Sequence, residues 1–245
     1  MSKNILLTLT VFSFLFACRW EEEPLPSELY SANNDGLKIM PLGASRVEGA
    51  SPSFESYRYE LWKLLNGELV AFDFIGTQED ETFYPESLKN NFDYHHEGHG
   101  GWTSGKILDQ LDVWMQDAGV PDIVLFSSPG GNDALEGLPY DQIVANTNQI
   151  IDILQAVNPS IVVIIELPAP ASQELMIDEL QSYFNQILID IPSIAQAQTS
   201  AESRVIVVDM FTGFDDSMLA DEVHYNEKGA KFIASRYFEI LIDLL

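Results

Sequence analysis

The sequence predicts a three-layer α/β/α sandwich built on a five-stranded parallel sheet. Short apolar runs of strand length recur along the chain, and the segments between them carry helical periodicity. The runs suit interior strands covered on both faces, which is the environment of a parallel sheet. Hydrophobic residues make up 46% of the 245, enough for one full-sized core, and neither an internal repeat nor a second domain is visible.

The elements follow in order. Leu37 to Leu42 reads as the first strand, and a helical stretch around Tyr57 to Leu65 places Tyr59, Leu61, Trp62 and Leu65 on one face. Leu69 to Ile75 reads as the second strand, followed by a long polar connection from Gly76 to Gly101. A helix over Ser104 to Ala118 closes at Gly119 and leads to a strand at Ile123 to Phe126. A helix over Tyr140 to Ala156 ends before Asn158-Pro159, and Ile161 to Glu166 is the fourth strand. A long helical region from Ser172 to Gln198 is expected to break near Pro192. The strand Val205 to Val208 and a last helix from Glu227 to Leu244 complete the pattern.

Ahead of this domain, which spans residues 37–245, the chain has a different character. Met1 to Lys3 is a short positive start and Ile5 to Ala17 an apolar run too short to span a bilayer, so residues 1–17 are expected to be a signal peptide. Leu15-Phe16-Ala17-Cys18 resembles a bacterial lipoprotein cleavage site, which would make Cys18 the lipidated N-terminus; a plain signal peptide or a buried helix are the alternatives. Cys18 is the only cysteine, so no intrachain disulfide can form. Residues 18–36, acidic and turn-rich, read as a tether holding an exported domain off a membrane, at a periplasmic or cell-surface face. The formal charge of -26, from 38 acidic against 12 basic residues, repels polyanions and argues against nucleic acid as a partner. Neutral substrates fit it better, although the same acidity also serves solubility.

Three blocks carry candidate chemistry. The first strand ends abruptly at Gly43-Ala44-Ser45, which sets Ser45 just past a strand's carboxyl end, where open α/β sheets place ligands. A serine hydroxyl needs a base to take its proton. Asp221 lies three residues before His224, a spacing at which the carboxylate can bond the Nδ1 side of the ring and leave Nε2 for the serine. By itself that pair also reads as two ordinary surface residues. Gly130-Gly131-Asn132-Asp133, after the third strand, offers an amide and backbone N–H groups suited to an oxyanion, or simply a turn.

Taken in order, Gly43-Ala44-Ser45, the glycine in Gly100-Gly101-Trp102-Thr103, Gly130-Gly131-Asn132-Asp133 and Asp221-Glu222-Val223-His224 resemble the SGNH (GDSL-type) hydrolase superfamily, and within it the secreted carbohydrate acetylesterases. The resemblance runs from Leu37 to the C-terminus and implies the flavodoxin-like fold of that superfamily. It implies Ser45 as nucleophile, His224 as general base and then acid, and Asp221 as its orienting partner. The oxyanion donors would be the Ser45 and Gly101 N–H groups and the Asn132 side chain. No cofactor is implied. Two positions depart from the pattern: Ala44 stands where the family usually has aspartate, and Tyr225 where a proline commonly follows the histidine.

Several residues keep more than one reading. Arg46 contacts substrate, takes over organisation lost with the Ala44 change, or pairs with Glu48. Trp102 stacks on a sugar ring or packs under its loop. His95, His96 and His99 with Glu97 are zinc-ligand types, but His96 and His99 lack the four-residue helical spacing and glycines interrupt the stretch, so no metal site is expected. The function expected is a serine esterase removing O-acetyl or short acyl groups from carbohydrate. A lipid-directed esterase or lysophospholipase, and a non-catalytic glycan-binding protein with a degenerate site, are the rivals.

Overall fold

The computed structural model describes residues 36–68, 70–79 and 92–244. The expected signal peptide, Cys18 and nearly all of the acidic tether lie outside the described residues, as does the middle of the Gly76–Gly101 connection. The elements run β1 (Leu37–Gly43), α1 (Ser45–Glu48), α2 (Arg58–Gly67), β2 (Phe72–Phe74), β3 (Glu97–Gly98), α3 (Ser104–Asp117) and β4 (Ile123–Phe126). They continue with α4 (Gly131–Leu135), α5 (Tyr140–Val157), β5 (Val162–Leu167), α6 (Asp178–Gln198), β6 (Arg204–Asp209) and α7 (Glu227–Ile242).

The sheet is parallel, with its main strands in the order β2-β1-β4-β5-β6. The two-residue β3 adds to the far end of β1, pairing Leu42 with Glu97 and Gly43 with Gly98. Successive strand residues point to opposite faces, and the core divides accordingly. Ile39, Leu125, Ile164 and Val208 face α2 and α7 through Leu61, Trp62, Leu65, Ile233, Tyr237 and Leu241. Met40, Leu42, Val124, Phe126, Val163 and Ile165 face α3, α5 and α6 through Leu111, Trp114, Ile150, Leu154, Ile187 and Ile191. Both faces are therefore covered, which is why the strands read as unbroken apolar runs.

One expectation fails in a small way. Helix α6 continues through Pro192 rather than breaking there. The ring removes one backbone donor, but Ile187, Ile191, Ile194 and Ala195 are all buried against the sheet on either side of it, and that packing holds the helix together. The four- and five-residue helices α1 and α4 lie where the sequence reads as turns.

The chain leaves β1 toward β2 on one side and returns to β4 on the other. The carboxyl ends of β1 and β4 thus flank the point where strand order reverses, the place where such sheets form a crevice.

Candidate active site

Ser45 opens α1 directly after β1. The turn into it needs glycine at position 43, because a Cβ there would lie 2.8 Å from a Val47 methyl and 3.1 Å from the Ser127 carbonyl oxygen. The Ser45 Oγ is 2.9 Å from His224 Nε2, and His224 Nδ1 is 2.8 Å from Asp221 Oδ2. The other Asp221 oxygen accepts from the Val223 and His224 backbone N–H groups at 2.8 and 2.7 Å. Partial burial pushes the Asp221 carboxyl up, but those two donors and the imidazole outweigh it and hold the group down to about 2. An ionised Asp221 accepts the Nδ1 proton, so Nε2 is the tautomeric acceptor for the serine hydroxyl. The ring of Phe54 stacks on His224 at 4.0 Å between centroids and 18° between planes, fixing the imidazole from one side.

The other predicted residues gather around the same crevice. Asn132, in the first turn of α4, donates its Nδ2 to the Trp102 carbonyl at 2.8 Å, which holds the amide in place and leaves a second hydrogen for a ligand. Gly101 occupies the turn before Trp102 with φ of 73°, in the left-handed region that favours glycine. That turn is tied back to β1 by the His99 N–H on the Gly43 carbonyl, 3.1 Å. Trp102 is half-buried beside the crevice, its ring stacked 4.4 Å from His99, which is itself stacked 4.4 Å from Trp114. Asp133 is buried and turned inward: it accepts from Ser104 N and Oγ at 2.7 and 2.6 Å, joining α4 to the start of α3.

Arg46 is 7% exposed and its three nitrogens reach backbone carbonyls: Nε to Val223 at 2.9 Å, Nη1 to Ala169 at 2.7 Å and Nη2 to Pro170 at 3.1 Å. The guanidinium lies 4.8 Å from the centre of the Tyr225 ring. Tyr225, the residue in place of the family's proline, is thus the platform on which Arg46 grips the His224 loop. The guanidinium is thus engaged with three backbone carbonyls and the Tyr225 ring.

Three further residues build the site without a motif to announce them. Arg58, fully buried, donates to the Val47, Glu48 and Tyr94 carbonyls at 2.7, 2.9 and 2.8 Å and so clamps the end of α1. Glu166, fully buried at the end of β5, accepts from Tyr237 Oη at 2.7 Å, Ser127 Oγ at 3.0 Å and Ser128 N at 2.7 Å. Burial pushes its carboxyl up, against the pull of Tyr237, Ser128 and Arg46. Ser128 is the only non-glycine residue with positive φ, 44°, among the described residues, and Glu166 is what holds it there. A carboxylate ending an apolar strand was the available signal for Glu166; Arg58 and Phe54 offered none.

The histidine stretch is dispersed into separate roles. His95 Nδ1 faces Asp93 at 3.2 Å, His96 accepts the Gly98 N–H at 2.9 Å, and His99 Nε2 faces Glu97 at 2.9 Å. Burial first, then Arg58 and the neighbouring imidazoles, hold the His96 ring down to about 2.

Ser45, Arg46, Trp102 and Asn132 line one cleft that runs on between α4 and α6 and is open to solvent. Known proteins carry the same architecture. The model of the GDSL-like lipase/acylhydrolase family matches residues 56–232. The chain belongs to that family. It is a carboxylic ester hydrolase. A carbohydrate esterase of family 3 from Talaromyces cellulolyticus is 31% identical, with a TM-score of 0.73 over 85% of this chain and 97% of that one. A family 3 carbohydrate esterase from Clostridium thermocellum is 30% identical, with a TM-score of 0.70 over 85% and 96%. An acetyl esterase mutant with an acetate ion matches at 31% identity and a TM-score of 0.73, over 85% and 97%. No curated protein sequence matches the chain.

Proposed function

We propose that this GDSL-family hydrolase is a serine esterase that removes acetyl and other short acyl groups from carbohydrate through a covalent acyl-enzyme. The observation that carries this reading is the chain of short contacts from Asp221 through His224 to Ser45, 2.8 and 2.9 Å. His224 Nε2 takes the Ser45 proton as Oγ attacks the ester carbonyl, and the imidazolium that forms is stabilised by ionised Asp221. The oxyanion is held by the Ser45 and Gly101 N–H groups and the free amide hydrogen of Asn132. The proton passes to the departing sugar oxygen, the alcohol leaves, and water repeats the sequence on the acyl-serine to release the carboxylic acid.

The sugar preference is supported by the identity to carbohydrate esterases and by charge. A surface with formal charge -26 repels anionic lipid headgroups and is indifferent to a neutral glycan. The test is hydrolysis of 4-nitrophenyl acetate and of acetylated xylan by the wild type beside Ser45→Ala and His224→Ala. Loss of about 10³-fold or more in kcat in each variant is expected. Turnover that survives Ser45→Ala contradicts the mechanism, and sugar binding without turnover by the wild type moves the non-catalytic glycan-binding alternative forward.

A further inference from the structure

Glu166 has no part in the serine mechanism, yet it is a fully buried carboxylate in β5, behind the Ser127 and Ser128 wall of the cleft. Among the described residues it only accepts hydrogen bonds. Its Oε1 takes the Tyr237 hydroxyl at 2.7 Å. Its Oε2 takes the Ser127 hydroxyl, the Ser128 N–H and the Ser128 hydroxyl at 3.0, 2.7 and 3.3 Å. Donors converging on both oxygens are the surroundings of an anion.

Arg46 has the complementary need. The Val223, Ala169 and Pro170 carbonyls satisfy its N–H groups but carry no net charge. A cation this deeply buried is costly without an anion to neutralise it. Ser128 stands between the two charges. Its Oγ lies 3.4 Å from Arg46 Nη1 and 3.3 Å from Glu166 Oε2, so the hydroxyl accepts from the cation and donates to the anion. The line from Glu166 through Ser128 to Arg46 crosses the carboxyl ends of β5, β4 and β1, which are neighbours in the sheet.

Each arm of this line holds one half of the reacting centre. Ser128 carries the oxyanion side, because its carbonyl accepts the Gly131 N–H at 3.1 Å where α4 begins, and Asn132 follows in that helix. Arg46 carries the base side, because the Val223 carbonyl it binds belongs to the residue before His224. We propose that Glu166 is a positioning residue for ester hydrolysis: its charge, neutralising Arg46 through Ser128, fixes Asn132 and His224 relative to one another. The proposal rests on the serine-esterase reading and adds to it a group that touches no substrate.

The experiment measures kcat and KM for 4-nitrophenyl acetate with the wild type, Glu166→Gln, Arg46→Met and the double variant, at a temperature where thermal unfolding shows each to be folded. Glu166→Gln should lower kcat about tenfold and leave KM within about twofold, a coupling of the size found inside one charged network. In the Arg46→Met background the same substitution should change kcat by less than about twofold, because the line to His224 is already cut. Ser128→Ala removes the bridging hydroxyl and no charge, and should lower kcat about threefold at unchanged KM. Several results overturn the proposal and leave the serine mechanism standing. These are a less stable Glu166→Gln enzyme with wild-type kcat, a raised KM at unchanged kcat, an equal loss of kcat in both Arg46 backgrounds, or a wild-type kcat in Ser128→Ala. Wild-type turnover by Ser45→Ala overturns the mechanism itself, and the positioning role with it.

Discussion

At the scale of single residues, the group beside Ser45 that does most to shape the site is a buried cation held by backbone carbonyls. Arg46 collects those of Val223, Ala169 and Pro170, which come from two loops far apart in sequence, and so ties the His224 loop to the exit of β5. A lysine at this position keeps the charge but loses the planar fork. Arg46→Lys should cost roughly 1.5–3 kcal/mol in denaturant unfolding, the value of hydrogen bonds to a charged group. It should also lower kcat with little change in KM, because the substitution disturbs the geometry of His224 and leaves substrate binding as it was. A raised KM at unchanged stability would show instead that Arg46 holds substrate. The sequence left Arg46 with three readings and gave none for Arg58. A charge reads as surface until its partners are known, and here the partners are backbone carbonyls that only the fold brings near. Asp221 and His224 were legible because three residues on one loop already bring carboxylate and imidazole together.

At the scale of elements, the interior strands and the edge strand β6 were legible, and the other edge strand, β2, was not. β4 has the bounds expected of it because four buried residues stand between turn formers. β2 lies at the edge of the sheet and shrinks to Phe72–Phe74, since this edge strand has one partner and little apolar pattern to mark its ends. α1 and α4 were missed because helices of four and five residues contain no helical period to detect. α6 was misread at Pro192, where local propensity gave way to packing. That proline still costs a backbone hydrogen bond, so Pro192→Ala should stabilise the protein by about 1–2 kcal/mol: the helical gain of about 3 is reduced by the added freedom of the unfolded chain and by the fit the helix already has around the ring. Thermal unfolding measures it. A fall in Tm would mean that the core depends on the shape the proline gives α6.

At the scale of the whole molecule, the fold class was legible because alternation of apolar strands and amphipathic helices leaves few topologies, whereas the cleft between α4 and α6 depends on how helices far apart in sequence pack. Acid stability is also a property of the whole. In the folded protein, burial keeps the His96 pKa near 2, while the unfolded chain takes a proton near pH 6.5. Between those values the unfolded state binds more protons, so His96 contributes stability that is full above about pH 6.5 and lost as pH falls toward 2, by up to about 1.4 kcal/mol per pH unit. The raised Glu166 carboxyl acts oppositely: its burial as a charge weighs against the fold above its folded pKa, and that cost fades as pH falls through it toward the ordinary carboxylate range. The pH dependence of urea unfolding should therefore be shallower in His96→Gln than in wild type below pH 6.5. Identical slopes would place the acid sensitivity elsewhere.

Acylation of Ser45 is the step on which the mechanism depends. The most direct measurement is intact-protein and peptide mass spectrometry on enzyme quenched with acid during turnover of 4-nitrophenyl acetate. One added acetyl group on the peptide bearing Ser45, absent in Ser45→Ala, is the result predicted. Turnover with no adduct, or an acetyl group on another residue that Ser45→Ala leaves in place, would contradict it.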